Sequence, residues 1–317
     1  MDNQNKLRGK VLIAAKVHSV LLDGLTDAGH ECILEEDVTR GLAMQLVKDC
    51  VGIVTSTRLI LDKELIDAAP QLRWIGRMGS GMEIIDVEYA TSKGIKCYSS
   101  PEGNRNSVGE HALGMLLALT RRITIGRDQM MAGLWKREEN RGIELEGKIL
   151  AIIGFGNTGS AFARKLKGFD IRILAYDKYH PENITEGVIN CKDLQIIYEE
   201  ADIISFHLPL QNDTAHVFND DFCLQMKKPF ILINTSRGPV VDTSVLYKGL
   251  KDGKILGACL DVFEEETPFG KGTDTEQLLR EIIDSPQVVV TPHIAGYSHE
   301  AIYKMSKVLL GKIGEPL

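Results

Sequence analysis

The sequence predicts an α/β fold with two doubly wound parallel sheets, each flanked by helices on both faces. Short apolar runs of strand length alternate with segments of helical periodicity, which is the pattern of parallel strands joined by crossover helices. The alternation occurs twice, once in the first third of the chain and again from about residue 148 onwards. A chain of 317 residues is also long enough for two domains.

The first α/β unit is predicted from three apolar runs and two helical segments. We expect strands at Val11–Val17, Gly52–Thr55 and Arg73–Arg77. The segments Asp62–Ala69 and Ile85–Lys93 have the periodicity of helices.

The second unit follows a cleaner alternation. A helix is expected at Ser160–Gly168, between the first two strands of the unit. The predicted strands are Ile149–Ile153, Ile171–Tyr176, Ile203–His207, Phe230–Asn234, Ile255–Asp261 and Val288–Thr291.

A long, largely apolar helix over Asn106–Arg122 is predicted between the two units. Asn106 and Ser107 are candidates for its N-cap, and Glu110 would complete a capping box with Ser107. We expect this helix to lead from the first domain into the second.

The last helical pattern, Glu300–Lys312, is expected to return the chain to the first domain. The predicted domains are therefore 1–103 plus 297–317, which is discontinuous, and 104–296.

The composition excludes several classes of partner. A net charge of −7 gives no general attraction for nucleic acid, which binds basic patches, although one local arginine is enough for a small anionic substrate. The N-terminal segment lacks the apolar core of a signal peptide, and no apolar run approaches the roughly 18 residues of a membrane span. We therefore expect a cytoplasmic protein with no nucleic-acid or membrane partner.

The cysteines are widely scattered and form no C-x-x-C pair. A disulfide framework or a zinc site needs closer spacing, so we expect reduced thiols and no metal. The six are Cys32, Cys50, Cys97, Cys191, Cys223 and Cys259.

A glycine-rich turn follows the first strand of the second unit. Gly154, Gly156 and Gly159 fit G-x-G-x-x-G at the point where a helix begins, and Asp177 ends the next strand. This context is typical of a dinucleotide site, because the helix N-terminus binds the pyrophosphate and the carboxylate accepts hydrogen bonds from ribose hydroxyls. Asp177 would repel a 2′-phosphate, so the sequence favours NAD over NADP in a Rossmann/flavodoxin-like domain.

Three ionisable side chains follow later strands of the same predicted sheet. Arg237, Glu266 and His293 all lie near carboxyl ends of strands, where open α/β sheets bind ligands. Arg237 can bind a carboxylate or carbonyl oxygen, and His293 can exchange a hydroxyl proton near neutral pH. Glu266 can orient His293, so the three fit the oxidation of a hydroxy acid.

Six ordered segments carry motifs of one known family. They are Arg77–Gly81, Asn106–Ala112, Gly133–Arg137, Asn234–Gly238, Asp261–Phe263 and Thr291–Gly296. Together they resemble the D-isomer-specific 2-hydroxyacid dehydrogenase family over nearly the whole chain, and most of all its D-3-phosphoglycerate dehydrogenase branch.

The resemblance implies an active-site cleft between the two domains and a homodimer formed through the NAD-binding domain. Arg237, Glu266 and His293 match the family's catalytic positions. The substrate would be held by Met78, Gly79, Ser80 and Arg237. Contacts to NAD are assigned to Ser80, Gly154, Phe155, Gly156, Asn157, Thr158, Gly159, Asp177, Pro209, Thr214, Thr235, Ser236, Asp261, His293 and Gly296.

The chain departs from the family pattern in two places. Thr267 separates Glu266 from Pro268, which leaves Glu265 as a rival for the acidic position, and the loop from Thr267 to Pro286 looks long. Phosphoglycerate dehydrogenases often carry an arginine for the substrate phosphate where this chain has Ser56, with Arg58 two residues further on.

Three functions therefore stay open. The first is an NAD-dependent D-2-hydroxyacid dehydrogenase, with 3-phosphoglycerate among the candidate substrates. The second is a glyoxylate or hydroxypyruvate reductase. The third is a non-catalytic NAD sensor that binds protein partners, as corepressors of this family do.

Overall fold

The computed structural model describes residues 9–266, 269 and 272–314. The chain divides into two units, one of Met1–Arg105 with Tyr297–Leu317 and the other of Asn106–Gly296. The sequence interpretation placed the first boundary between residues 103 and 104.

The first unit contains a five-stranded parallel sheet in the order β2-β1-β3-β4-β5. Its strands are β1 (Lys10–Ala14), β2 (Glu31–Leu34), β3 (Cys50–Thr55), β4 (Trp74–Arg77) and β5 (Lys96–Ser99). Its first helices are α1 (Ser19–Asp27), α2 (Arg40–Leu46), α3 (Lys63–Asp67) and α4 (Val87–Ser92).

Helix α5 (Pro101–Thr120) carries the chain across the boundary between the units. It begins five residues before the predicted start, so the N-cap predictions for Asn106 and Ser107 are wrong. Proline suits the first turn of a helix because it has no N–H to leave unpaired there.

The second unit contains a seven-stranded parallel sheet in the order β12-β11-β10-β9-β6-β7-β8. Its strands are β6 (Ile149–Ile153), β7 (Arg172–Tyr176), β8 (Ile189–Asn190), β9 (Ile203–Phe206), β10 (Phe230–Asn234), β11 (Ile255–Leu260) and β12 (Val288–Val290). Its helices are α6 (Ile123–Met131), α7 (Asn157–Lys165), α8 (Gln195–Glu200), α9 (Asp220–Gln225), α10 (Thr243–Lys251) and α11 (Asp274–Ile283). The last helix, α12 (His299–Gly314), belongs to the first unit.

Each sheet has an apolar core on both faces. On β6, Ala151 and Ile153 belong to one cluster, while Leu150 and Ile152 belong to another. Because successive side chains of a strand point to opposite faces, this division means that helices cover both sides of the sheet. The first unit repeats the arrangement, and α12 packs on one of its faces. The predicted fold class, parallel sheets with helices on both faces, is confirmed.

The segment predicted as a long loop from Thr267 to Pro286 contains α11. Thr267 and Pro268 themselves lie outside the described residues. Thr273 caps α11 by accepting from the amide of Glu276, and buried Leu279 and Ile282 pack it into the unit. The prediction of a loop is therefore wrong for half of this segment, because its apolar residues form one face of a helix.

No helix within the described part of the chain is both long and apolar enough to cross a membrane. All six cysteines are described, and each is a free thiol.

Candidate active site

The glycine-rich turn joins β6 to α7. Gly154 has a φ of 90°, and a Cβ at this residue would lie 2.4 Å from the carbonyl oxygen of His207. Gly156 is the N-cap of α7, and a Cβ there would meet no atom within 4 Å. At Gly159, a Cβ would lie 2.1 Å from the Gly154 oxygen. The turn thus packs tightly against the sheet and stays open above the helix N-terminus, where backbone N–H groups attract anions.

Asp177 lies just after β7, beside this turn. One carboxylate oxygen accepts from the Phe155 amide at 2.7 Å, and the other accepts from the amides of Tyr179 and His180 at 3.0 and 2.8 Å. Burial acts to raise the pKa of Asp177, but the three backbone donors together outweigh it and hold this pKa below its ordinary value. The carboxylate is therefore charged and fixed in position next to the glycine-rich turn.

His207 follows β9 and ties this strand to α7. Its Nε2 lies 2.9 Å from Ser205 Oγ, and its Nδ1 lies 3.2 Å from Thr158 Oγ1 in the first turn of α7. Burial lowers the pKa of His207 to about 3, so the imidazole is neutral and acts as a hydrogen-bonding link. Sequence reasoning assigned Thr158 to the cofactor but gave His207 no role. Neither partner of His207 could be recognised from the sequence, because Thr158 is 49 residues away and Ser205 is buried within β9.

The loop after β9 is held by Thr214. Its hydroxyl donates to the Pro209 carbonyl at 2.6 Å and accepts from the Gln211 amide at 2.8 Å. Thr214 is buried, so its observed contribution is to fix the loop that carries Pro209.

These residues fit a dinucleotide. The open glycine turn, the helix N-terminus and the fixed Asp177 carboxylate provide groups for the pyrophosphate and a ribose. Thr235, directly after β10, adds a buried hydroxyl that has no hydrogen-bond partner among the described residues. A buried polar atom without a partner costs stability, so this hydroxyl is free to bond to a cofactor or to water.

Arg237 is presented by a tight turn after β10. The buried Asn234 builds this turn, because its amide donates to the Arg237 carbonyl at 2.9 Å and its oxygen accepts from the amide and hydroxyl of Ser236. Arg237 Nη1 donates to the Ser236 carbonyl at 2.7 Å. Gly238 is buried, and a Cβ there would lie only 1.7 Å from the Phe263 oxygen, so the turn packs directly on the segment after β11.

The segment Asp261–Glu266 carries four acids, and Asp261, Glu264 and Glu266 among them have separate contacts. Glu264 accepts from His216 Nε2 at 2.6 Å and from the amide of Thr243 at the start of α10, at 2.8 Å. Glu266 Oε1 lies 2.5 Å from His293 Nδ1. Of the two acids considered for the partner of His293, the structure places Glu266 there, not Glu265.

His293 lies in a turn after β12 with a φ of 54°, a left-handed conformation that is uncommon for a residue with a Cβ. The buried Asp261 holds this turn. Its backbone carbonyl accepts from the His293 amide at 2.8 Å, and its carboxylate accepts from the amides of Ile294 and Ala295, each at 2.8 Å. The sequence assigned Asp261 to the cofactor, whereas in the structure its carboxylate is engaged by the turn of His293.

The electrostatics join the three predicted catalytic residues. The hydrogen bond from His293 lowers the pKa of Glu266, burial opposes this, and the charges of His293 and Arg237 lower it further. Since Glu266 is ionised and accepts from Nδ1, the hydrogen-bond pattern puts a proton on Nδ1, and the neutral form of His293 therefore has its lone pair on Nε2. Nε2 of such a ring can accept a proton, and the charge of Arg237 acts on the carboxylate that holds the ring.

The predicted substrate loop lies in the first unit, directly after β4. Gly79 has a φ of 146°, and its amide donates to Ser100 Oγ at 3.1 Å. Ser80 Oγ donates to Asn104 Oδ1 at 3.2 Å, and Met78 is buried. Arg77 is also buried and donates to the Met78 carbonyl, a contact that sequence reasoning missed.

The question of a phosphate site concerns Ser56 and Arg58. Arg58 forms an ion pair with Asp37, and both side chains are exposed. The loop after β3 thus presents a cation that already has an acidic partner.

The second unit matches the D-isomer specific 2-hydroxyacid dehydrogenase NAD-binding domain over residues 113–295. A hydroxypyruvate reductase of Thermotoga maritima is 34% identical over 285 residues, which cover 90% of each chain. A glyoxylate reductase of Thermococcus litoralis is 37% identical, over 85% of this chain and 81% of the relative. A D-3-phosphoglycerate dehydrogenase of Methanocaldococcus jannaschii is 33% identical over 96% of this chain, which spans only 58% of that relative.

Solved structures agree. A D-lactate dehydrogenase from Aquifex aeolicus, complexed with NAD and lactic acid, superposes with a TM-score of 0.82 at 28% identity, over 96% of this chain and 94% of that one. The fold and site thus define an NAD-dependent oxidoreductase of the Rossmann type. The chain belongs to the D-isomer specific 2-hydroxyacid dehydrogenase family. This confirms the family, the cofactor and the enzyme class predicted from the sequence, while relatives with three different names leave the branch unresolved.

Proposed function

We propose that this enzyme interconverts a small 2-keto acid and its D-2-hydroxy acid, with His293 as the acid and base. The 2.5 Å contact between Glu266 and His293 at the carboxyl ends of the sheet carries this proposal. Hydride transfer to NAD requires removal of the hydroxyl proton, and a positioned imidazole is suited to that step near neutral pH.

Each of the three predicted catalytic residues has one task in the proposed reaction. NAD, when bound, accepts or returns the hydride. His293 Nε2 takes the hydroxyl proton during oxidation and returns it to the carbonyl oxygen during reduction. Glu266 holds the ring by its Nδ1–H and stabilises the imidazolium that forms. Arg237 binds an oxygen of the substrate and polarises the carbonyl group.

The selectivity for NAD over NADP is assigned to Asp177. Its carboxylate is held by three amides and kept ionised, so it can accept from ribose hydroxyls but repels a 2′-phosphate. Gly154 to Gly159 are proposed to bind the pyrophosphate, with Thr235 donating its unpartnered hydroxyl. The remaining cofactor contacts deduced from the sequence stay predictions.

For the substrate, we favour an unphosphorylated keto acid such as glyoxylate or hydroxypyruvate. Ser56 carries no charge, and Arg58 is paired with Asp37. A phosphate would have to displace this acid from Arg58, although an exposed pair resists by no more than about 1 kcal/mol. We propose that the loop of Met78, Gly79 and Ser80 holds the substrate carboxylate.

The test is NADH oxidation with a panel of keto acids: glyoxylate, hydroxypyruvate, pyruvate, 3-phosphohydroxypyruvate and longer 2-keto acids. We expect the highest kcat/KM for glyoxylate or hydroxypyruvate. A preference for 3-phosphohydroxypyruvate would refute the substrate assignment. Binding of NADH without turnover of any member would instead favour the non-catalytic NAD sensor.

We also propose that the protein is a homodimer in the cytoplasm. Large apolar side chains on α6 and just after it are exposed, and such a concentration of exposed apolar residues is typical of an interaction surface. They are Ile123, Met130, Met131, Leu134 and Trp135. Light scattering after gel filtration should give twice the chain mass, and a Met131→Ser/Trp135→Ser variant should give the monomer mass. A wild-type monomer at micromolar concentration would refute the dimer.

A further inference from the structure

Two side chains on one face of α5 reach the segment that carries His293. Ser107 Oγ donates to the Ala295 carbonyl at 2.8 Å, and His111 Nε2 lies 2.9 Å from Thr291 Oγ1. The two donors are four residues apart, which places them one above the other on the helix. They bracket His293, because one contact lies two residues before it and the other two residues after it.

The direction of the hydrogen bonds follows from Thr291. The Thr291 hydroxyl has one proton, and it donates this proton in a hydrogen bond to the carboxylate of Asp261 at 2.5 Å. The thioether of Met115, 3.8 Å away, is a much weaker acceptor. Thr291 Oγ1 must therefore accept from His111, and His111 carries a proton on Nε2. A directed chain thus runs from His111 through Thr291 to Asp261.

The chain ends on the turn of the proposed base. Asp261 Oδ1 accepts hydrogen bonds from the Thr291 hydroxyl and the Ile294 amide, and Oδ2 accepts one from the Ala295 amide. These bonds keep His293 in its left-handed conformation, which a residue with a Cβ adopts only when its surroundings impose it. If Asp261 rotates, the turn loses two of its bonds and the imidazole moves.

We propose that Ser107 and His111 are positioning residues for catalysis, which set the place of His293 through Ala295, Thr291 and Asp261. This inference rests on the proposed role of His293 as the base. His111 is about one-fifth exposed and lines an open groove with Ser107 and Gly114, so it is not a core residue whose loss would empty an apolar interior. Its effect is therefore expected on kcat rather than on folding.

Two isosteric variants of His111 separate positioning from packing. Glutamine places an N–H near the position of Nε2, whereas asparagine places it near Nδ1, out of reach of Thr291. We expect His111→Asn to lower kcat about 10- to 100-fold, because misplacing a reacting group by about 1 Å costs that order of rate. His111→Gln should restore kcat to within about threefold of the wild type. KM and the Kd for NADH should stay within about twofold in both variants.

Ser107→Ala tests the other contact without a change of volume at His111. Its kcat should fall in the same direction, and the Ser107→Ala/His111→Asn pair should fall further. His30→Asn is the matched control, since the His30 ring contacts the Gly9 carbonyl at 3.3 Å and lies in the other unit. Thermal unfolding of every variant is followed in parallel.

Several results would overturn the proposal. They are an unchanged kcat in both His111→Asn and Ser107→Ala, equal losses in His111→Asn and His111→Gln, or a loss that appears in KM or in NADH affinity instead of kcat. If His111→Asn does not fold, Ser107→Ala and His111→Gln decide alone. A His293→Asn variant that keeps its turnover would sink the proposed base instead, so the two failures are distinguishable.

Discussion

Gly238 is the residue at which a single methyl group should disable the site without touching any of its charges. It follows Arg237 and lies against the backbone of the segment that leads to Glu266. An ideal Cβ on Gly238 would lie 1.7 Å from the Phe263 oxygen, 1.9 Å from its carbonyl carbon and 2.5 Å from the Glu264 nitrogen. All three are backbone atoms, so no side-chain rotation relieves the overlap.

The size of the effect follows from these distances. Ordinary contact begins at 3.4 Å, so the two backbones must separate by about half of that value to admit the methyl group. A shift of about 1 Å in a reacting group costs roughly 100-fold in rate, and the separation demanded here is larger. We therefore expect Gly238→Ala to lower kcat by at least about 100-fold and stability by about 1–3 kcal/mol, the usual cost of overpacking.

The assay is steady-state NADH oxidation with the best keto acid, together with NADH binding by fluorescence and thermal unfolding. Gly168→Ala is the matched control in the same unit, because a Cβ there meets no atom within 4 Å. It should keep kcat within about twofold of the wild type. Binding of NADH should fall much less than kcat in Gly238→Ala, since the glycine turn and Asp177 are not involved, although Thr235 lies in the displaced turn.

The reasoning is refuted if Gly238→Ala keeps kcat within about twofold of the wild type while Gly168→Ala behaves in the same way. It is also refuted if Gly238→Ala loses activity only through lost NADH binding, since the contact lies between the segments of Arg237 and Glu266.

Three further predictions concern single side chains. Glu266→Gln should lower kcat about 10- to 1,000-fold in the steady-state assay, because it removes the carboxylate that orients the base. Glu265→Gln is the control, and its kcat should stay within about threefold of the wild type. Equal losses of kcat in the two variants would contradict the assignment of Glu266. Asp177→Asn should narrow the ratio of kcat/KM for NADH over NADPH by at least about tenfold, because the repulsion of a 2′-phosphate disappears, and an unchanged ratio would contradict this. The pKa of His207 falls to about 3 in the folded protein, so on acidification the unfolded chain binds a proton at this residue before the folded one does. The stability contributed by the neutral imidazole is therefore complete above about pH 6.5. Below that pH it declines by about 1.4 kcal/mol per pH unit, towards pH 3. The free energy of unfolding, measured with urea at pH 7.0 and 5.5, should show this loss in the wild type and not in His207→Gln. An equal change of that free energy with pH in the two proteins would refute the prediction.

Long buried strands could be predicted closely from the sequence, whereas three of the four edge strands of the described sheets could not. β6 and β10 have the predicted bounds, because continuous apolar runs mark strands that are covered on both faces. β2, β5 and β8 are short edge strands without a buried run, and their residues are mostly half-buried or exposed. Their pairing depends on neighbouring strands, which no local pattern reveals.

The start of α5 shows a second limit. Ser107 and Glu110 form a capping pattern, yet the helix begins at Pro101 and Ser107 donates across to Ala295. Ser100, directly before the helix, uses its hydroxyl for the Gly79 amide and the Arg77 carbonyl. The hydroxyls of Ser100 and Ser107 thus bond to residues far away in sequence instead of capping the helix, and spacing along the chain cannot predict this.

The residues of the site were predictable because strand ends of one parallel sheet converge. Asp177, Arg237 and His293 could be identified in this way. The supporting contacts were not predictable: the three bonds of Asp261 to the His293 turn, and the link from His207 to α7, join segments far apart in sequence.

The central claim is that His293 exchanges the proton of the substrate hydroxyl and that NAD binds without its imidazole. The variant His293→Asn tests this claim most directly. Asparagine tolerates the left-handed conformation of residue 293 better than other residues with a Cβ, so the turn is preserved while the imidazole is lost. With the keto acid that the wild type prefers, kcat should fall about 1,000-fold or more, and the Kd for NADH should stay within about threefold. A variant that turns over within about tenfold of the wild type would contradict the assignment of His293 as the base.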